Sequence, residues 1–245
     1  MEKTVLITGA NGGIGQALCH AFKAAGYFVI GSDRVAGTCD CDVFLQADVQ
    51  QICTNQQYRT EIVDKVRWHL GDRGLFALIN NAAIQLLNKT EDITLEQWHQ
   101  TLDTNLIAPF ILVQALLPDL EKAKGSVVNI ASVHATATKP GFVCYATSKA
   151  ALVGLTKSMA VDLGPRVRVN AICPGATATP MLLAGFEGEE ESFQQLSKMH
   201  PLERIAEPEE IAQTALFLVS WQASFITGAS LSIDGGISAR LHDPV

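Results

Sequence analysis

The sequence predicts an α/β domain with a doubly wound sheet, seven-stranded and mostly parallel, flanked by helices on both faces. Three observations carry that expectation. Seven short apolar stretches end in Gly, Asn, Asp or Ser, and segments of helical periodicity separate the more widely spaced ones. The stretches are also apolar almost throughout, as strands buried on both faces are. In chain order the strands are read at 4–9 "TVLITG", 27–33 "YFVIGSD", 42–48 "DVFLQAD", 75–80 "LFALIN", 125–132 "GSVVNIAS", 166–175 "RVRVNAICPG" and 229–236 "ASLSIDGG". Such a βαβ series places ligands at the carboxyl ends of the strands.

Composition bounds the rest. A chain of 245 residues that is 48% hydrophobic and carries a formal net charge of -7 fits one domain spanning 1–245. No apolar stretch approaches the roughly 20 residues of a membrane-spanning helix. The start "MEKTVLITGA" lacks the basic-then-apolar pattern of a secretion signal, so a cytoplasmic protein with no membrane partner is expected. The acidic balance and the lack of a Lys/Arg cluster argue against nucleic acid as a partner. Six cysteines include the run "CDC" at 39–41 but no paired CxxC units, and no metal site is expected. The one polar interruption is 184–208. It follows a strand end, and residues 181–206 are expected to form a loop or helix pair that covers the substrate.

The first strand leads into "TGANGGIG", with Gly9, Gly13 and Gly15 between strand and helix. Glycines there permit a tight turn and close approach to a pyrophosphate, whose charge meets the N–H groups opening the helix. That position is where a dinucleotide fingerprint of a Rossmann-type domain belongs. The second strand ends in Asp33, near the spacing at which an acidic residue meets the adenosine ribose. A carboxylate there favours NAD over NADP. Arg34 beside it could favour the extra phosphate, yet the glycine loop offers no Lys or Arg to help.

Together with "NNAA" at 80–83, Asn105 in "LDTNLIAPF", Ser132 in "NIASVHA", "YATSK" at 145–149 and "NAICPGATAT" at 170–179, these motifs resemble the short-chain dehydrogenase/reductase family in its single-domain branch. Six motifs in the right order cover nearly the whole chain. Ala83 stands where the family pattern has Gly. The resemblance implies a cofactor lying along Gly9, Asn11, Gly13, Ile14, Gly15, Asp33 and Arg34. It would continue past Asp48 and Val49 near the adenine, and past Asn81 and Ala82. Tyr145, Lys149, Pro174, Gly175, Thr177 and Thr179 would lie at the nicotinamide end. It also implies a homotetramer and a small alcohol or ketone as substrate.

The catalytic set implied is Asn105, Ser132, Tyr145 and Lys149. A secondary alcohol must lose its hydroxyl proton as hydride leaves its carbon, and free tyrosine, with a pKa of about 10, is too weakly ionised to take it. Tyr145 and Lys149 share a helix face, so the ammonium can favour the phenolate. Ser132 can donate a hydrogen bond to the substrate oxygen. By resemblance Lys149 also holds the nicotinamide ribose, and Asn105 holds a water linking Lys149 to solvent. His134, two residues after Ser132, and Met181 are candidate substrate contacts. Two other readings stay open: an epimerase or dehydratase with bound NAD, and an NAD-binding sensor without turnover.

Overall fold

The computed structural model describes residues 2–241, apart from the side chain of Met181. Seven strands form one sheet: β1 Thr4–Thr8, β2 Phe28–Asp33, β3 Val43–Gln46, β4 Ala77–Asn80, β5 Ser126–Ile130, β6 Arg168–Pro174 and β7 Ser230–Ile233. Their spatial order is β3-β2-β1-β4-β5-β6-β7, and all six pairings are parallel. The chain starts mid-sheet, builds outward to β3, then returns to lay β4 on the other side of β1. The order reverses between β1 and β4, and a crevice opens there at the carboxyl ends.

The helices are α1 Gly13–Ala24, α2 Val49–Thr54, α3 Gln56–Leu70, α4 Leu95–Leu102, α5 Ala108–Ala115, α6 Leu117–Ala123, α7 Val143–Leu163, α8 Pro180–Ala184, α9 Glu190–Met199 and α10 Pro208–Val219. Successive strand residues point to opposite faces, so two cores form. Leu6, Ile30, Leu78, Val127 and Val169 pack with α3, α5 and the end of α7. Val5, Ile7, Val29, Ile79 and Val128 pack with α1 and α10. Burial on both faces is why these strands read as apolar runs.

The stretch from Asn105 to Ala115 is helical throughout, continuing α4 across one π-helical turn, and the chain bends, by 63°, only at Leu116. Asp103–Ile107 is a π-helical segment between α4 and α5, and α6 begins anew at Leu117. Pro109 explains the π-helical turn. It stands four residues after Asn105 and has no N–H to donate to that carbonyl. Pro118 sits in the first turn of α6, where its missing N–H costs nothing.

Candidate active site

The crevice between β1 and β4 is built so that backbone lies close to backbone. Gly9 has φ +66, and a Cβ there would come 2.8 Å from Ala82 Cα. A Cβ on Gly15 would meet the Gly9 carbonyl, and one on Gly13 would lie 2.9 Å from the Thr179 methyl. A side chain at any of these positions would push apart the segments that line the crevice. Gly12 caps α1 without a side-chain acceptor, leaving the first N–H groups of that helix without a capping side chain at the crevice end.

Polar groups tie the two strand ends together. Thr8 Oγ1 accepts from Asn81 N and Ala82 N, both at 3.1 Å. Asn81 Nδ2 donates to the Thr8 and Gly9 carbonyls, each at 3.0 Å. Thr8 thereby sets the width of the crevice. The sequence reading quoted it within the glycine motif but gave it no role; its place on the last residue of β1 was the available signal.

At the adenosine end, Asp33 Oδ2 accepts from Asn11 N at 3.0 Å and Oδ1 accepts from Val35 N at 3.2 Å. The carboxylate is held facing the glycine loop with lone pairs to spare for a ribose. Asn11 Oδ1 is buried without a partner. Arg34 is exposed, its carbonyl accepting from Gln46 Nε2 at 3.1 Å. Asp48 caps α2 by accepting from Gln50 N at 2.9 Å, and Val49 opens that helix. These donor and acceptor groups, the close glycines and the uncapped helix fit a dinucleotide.

Of the four candidate catalytic side chains, Ser132, Tyr145 and Lys149 lie together at the end of β5, and Asn105 is held nearby by the loop after β4 and by α7. Ser132 Oγ accepts from His134 N at 3.2 Å, which leaves its own O–H free to donate. Burial pushes the Tyr145 phenol up, and the neighbouring Ser132 hydroxyl pulls it back. Lys149 is buried and donates to the Ile130 carbonyl at 2.7 Å, with Nζ 5.6 Å from the Tyr145 ring centre. Burial lowers its pKa to about 8. Asn105 is a clasp. Its Oδ1 accepts from Ile84 N and its Nδ2 donates to Ile84 O, both at 2.9 Å. The same Nδ2 donates to Ser148 Oγ at 3.0 Å, and Ser148 donates to the Tyr145 carbonyl at 2.7 Å. The loop after β4 is thus fastened to the first turn of α7.

His134 lies in the same cleft, stacked on Phe142 at 4.3 Å and edge-on to Tyr145 at 5.8 Å. Burial lowers its pKa to about 4, so the ring is neutral at physiological pH, with Nδ1 2.9 Å from Thr138 Oγ1. Pro174 ends β6, and Gly175 packs so closely on Asp234 that a Cβ would lie 2.9 Å from its Cα. Thr177 is buried and pairs with Ala206, so the segment between them leaves and returns at one point. Thr179 caps α8, accepting from Leu182 N at 3.3 Å. Met181 follows in α8, its side chain lying outside the described residues. Among the described residues no helix is long and apolar enough to cross a membrane, and no group of His, Cys, Asp or Glu is arranged to hold a metal ion.

Comparison with known proteins places this geometry. Residues 9–238 match the family described as Enoyl-(Acyl carrier protein) reductase. Acetoacetyl-CoA reductase of Acinetobacter sp. (strain RA3849) is 34% identical over 246 residues, covering 96% of this chain and 98% of that protein. Thermoplasma acidophilum aldohexose dehydrogenase superposes with a TM-score of 0.92 at 33% identity, over 100% of this chain and 97% of that one. Two further structures superpose at 0.87, each over 98% of this chain and 100% of its own: 4-hydroxyisoleucine dehydrogenase complexed with NADH, 29% identical, and ElxO with NADP bound, 28% identical.

Proposed function

The chain belongs to the short-chain dehydrogenase/reductase family, and from that premise we propose that it is an oxidoreductase interconverting a secondary alcohol and a ketone, with NAD as cofactor and Tyr145 as acid and base. The observation that carries the reading is the meeting of Ser132, Tyr145 and buried Lys149 beside a crevice that fits a dinucleotide. Solved relatives hold NADH in one case and NADP in another, so the preference for NAD rests on Asp33.

The steps follow from the side chains. The nicotinamide cofactor, when bound, accepts or supplies the hydride. Tyr145 takes the hydroxyl proton of the alcohol, or returns it to the ketone oxygen in the reverse direction. Ser132, oriented by the His134 amide, donates its O–H to the substrate oxygen as charge develops. Lys149 lowers the cost of the phenolate by its charge. Asn105 acts as a positioning residue. Its side chain is committed to Ile84 and Ser148, so a water on the proton path would fall to its carbonyl, which Pro109 deprives of the usual donor four residues on. His134 and Phe142 give the substrate an uncharged aromatic wall. Residues 181–206 cover the substrate, and the homotetramer and cytoplasmic location are part of the same proposal.

Asp33 would accept hydrogen bonds from the ribose and repel a 2′-phosphate, so NAD should bind more tightly than NADP by about 1–3 kcal/mol. Calorimetry with both cofactors checks this, and equal or tighter NADP binding contradicts it. A screen of secondary alcohols with each cofactor, read by absorbance of the reduced nicotinamide, tests the reaction class. An epimerase or dehydratase would instead retain NAD through purification and show no net reduction of added cofactor.

A further inference from the structure

Three thiols meet between α1, β2 and the loop that follows β2. The Cys39 and Cys41 sulfurs are 3.3 Å apart, in contact, and Cys41 N donates to the Cys39 carbonyl at 2.8 Å. That bond folds residues 39–41 into a γ-turn, drawing the two α-carbons closer than in extended chain. A disulfide requires them within about 7 Å. Gly31 makes the seat: a Cβ there would lie 3.0 Å from the Cys39 sulfur and 3.2 Å from Cys41 Cβ. Cys19, fully buried on α1, lies beneath and shares a hydrogen bond with Cys39. Cys39 and Cys41 themselves are half-buried and within reach of a small oxidant.

We propose that Cys39 and Cys41 are a reversible dithiol–disulfide pair that sets the affinity of the adenosine end of the crevice for its dinucleotide. The reaction balances with a disulfide oxidant such as oxidised glutathione. The thiolate of one cysteine attacks a glutathione sulfur, releasing one glutathione thiol and leaving a mixed disulfide. The second cysteine displaces the other glutathione, forming the Cys39–Cys41 bond. Two electrons and two protons pass to glutathione, and two reduced glutathiones leave. Burial and the neighbouring thiol push the Cys39 pKa up to about 11, so the reaction is slow at neutral pH and speeds up as pH rises.

The connection to the crevice runs through the loop itself. Val35 donates to Asp33 and its carbonyl accepts from Asn11 Nδ2, while Gly37 packs against the Asn11 side chain. Val35 and Gly37, two to four residues before Cys39, therefore form a clasp on Asn11 and Asp33. Closing a sulfur separation of 3.3 Å to a bond of about 2.05 Å pulls on that clasp. Looser Asn11 and Asp33 would bind a ribose less well. This consequence rests on the dinucleotide reading of the crevice.

The test equilibrates the full chain with glutathione buffers of stepped oxidised-to-reduced ratio at mildly alkaline pH, blocks free thiols, and maps the peptides. The expected product is a peptide containing Cys39 and Cys41, unblocked and lighter by two hydrogens. It is absent in Cys41→Ser and reversed by dithiothreitol. Calorimetry should find NAD bound about tenfold more weakly by the oxidised protein, the loss of one to two hydrogen bonds. NAD binding to Cys41→Ser should not respond to oxidant. All six thiols remaining free at the most oxidising ratio, or a bond joining other cysteines, would overturn the proposal. A Cys39–Cys41 bond with unchanged NAD affinity would overturn its control of the crevice. Absence of NAD binding in either form would count against the cofactor reading, and the peptide map alone would still decide the disulfide.

Discussion

Lys149 carries opposed demands. Burial holds its pKa near 8 against an ordinary 10.5. As pH falls through that window the unfolded chain takes up a proton that the folded chain refuses, so stability declines between about 10.5 and 8 and stays lower below it. The penalty is roughly 3 kcal/mol, offset in part by about 1 kcal/mol from the bond to Ile130 O. Lys149→Met should therefore raise the melting temperature of the cofactor-free protein at pH 7, with the gain gone above about pH 10.5, while turnover and NAD affinity are lost. A lower melting temperature at pH 7 would contradict this. Tyr145 runs the other way. Burial raises it, so alcohol oxidation, which needs the phenolate, should speed up from neutral to alkaline pH, and ketone reduction should slow. Ser132→Ala should lower kcat by about 10²-fold with NAD binding unchanged, measured by steady-state kinetics beside calorimetry. At this scale the reactive types were legible because "YATSK" fixes a tyrosine and a lysine one helical turn apart. The work of Thr8 and of the Asn105 side chain was not, since both act on loops that only the fold brings near.

Among elements, the segment between Thr177 and Ala206 is the one expected to move. Its base is pinned by backbone bonds from Ala178 N to Ala206 O at 2.8 Å and from Ala206 N to Ala176 O at 2.9 Å. Beyond that base, Phe186 in the turn after α8 makes an edge-on contact with Phe193 of α9, and most residues of both helices are exposed. Few buried contacts mean low local stability. Amide exchange there should be faster than in the sheet, and NAD with substrate should slow it by closing the segment over the cleft. Exchange unaltered by ligands would make it a fixed surface feature. The sequence flagged this stretch by its polarity, and a helix pair was one of its two expected forms. The π-helical turn at Asn105 was harder to read, because apolar periodicity continues across Pro109. The signal was there in "NLIAP", whose proline falls four residues after the asparagine.

Across the whole molecule, the seven strands were legible to within a residue or two at most ends, because a parallel sheet buried on both faces leaves apolar runs that helix periodicity cannot imitate. Assembly was not, since exposed apolar residues have no sequence signature of their own. Ile107 in the π-helical turn, Phe110 on α5 and Val161 on α7 are exposed, and by the family resemblance the expected homotetramer would close on these two helices. Light scattering at micromolar concentration should report four chains, and a monomer would refute that expectation. The central claim concerns the reaction the whole fold serves, and one variant addresses it. Tyr145→Phe removes a hydroxyl and keeps the ring that packs against His134 and Phe142. With a secondary alcohol that the unaltered protein oxidises, its turnover should fall by about 10²- to 10⁴-fold while calorimetric NAD binding persists. Near-normal oxidation by Tyr145→Phe would contradict the account and move the search for the base to His134.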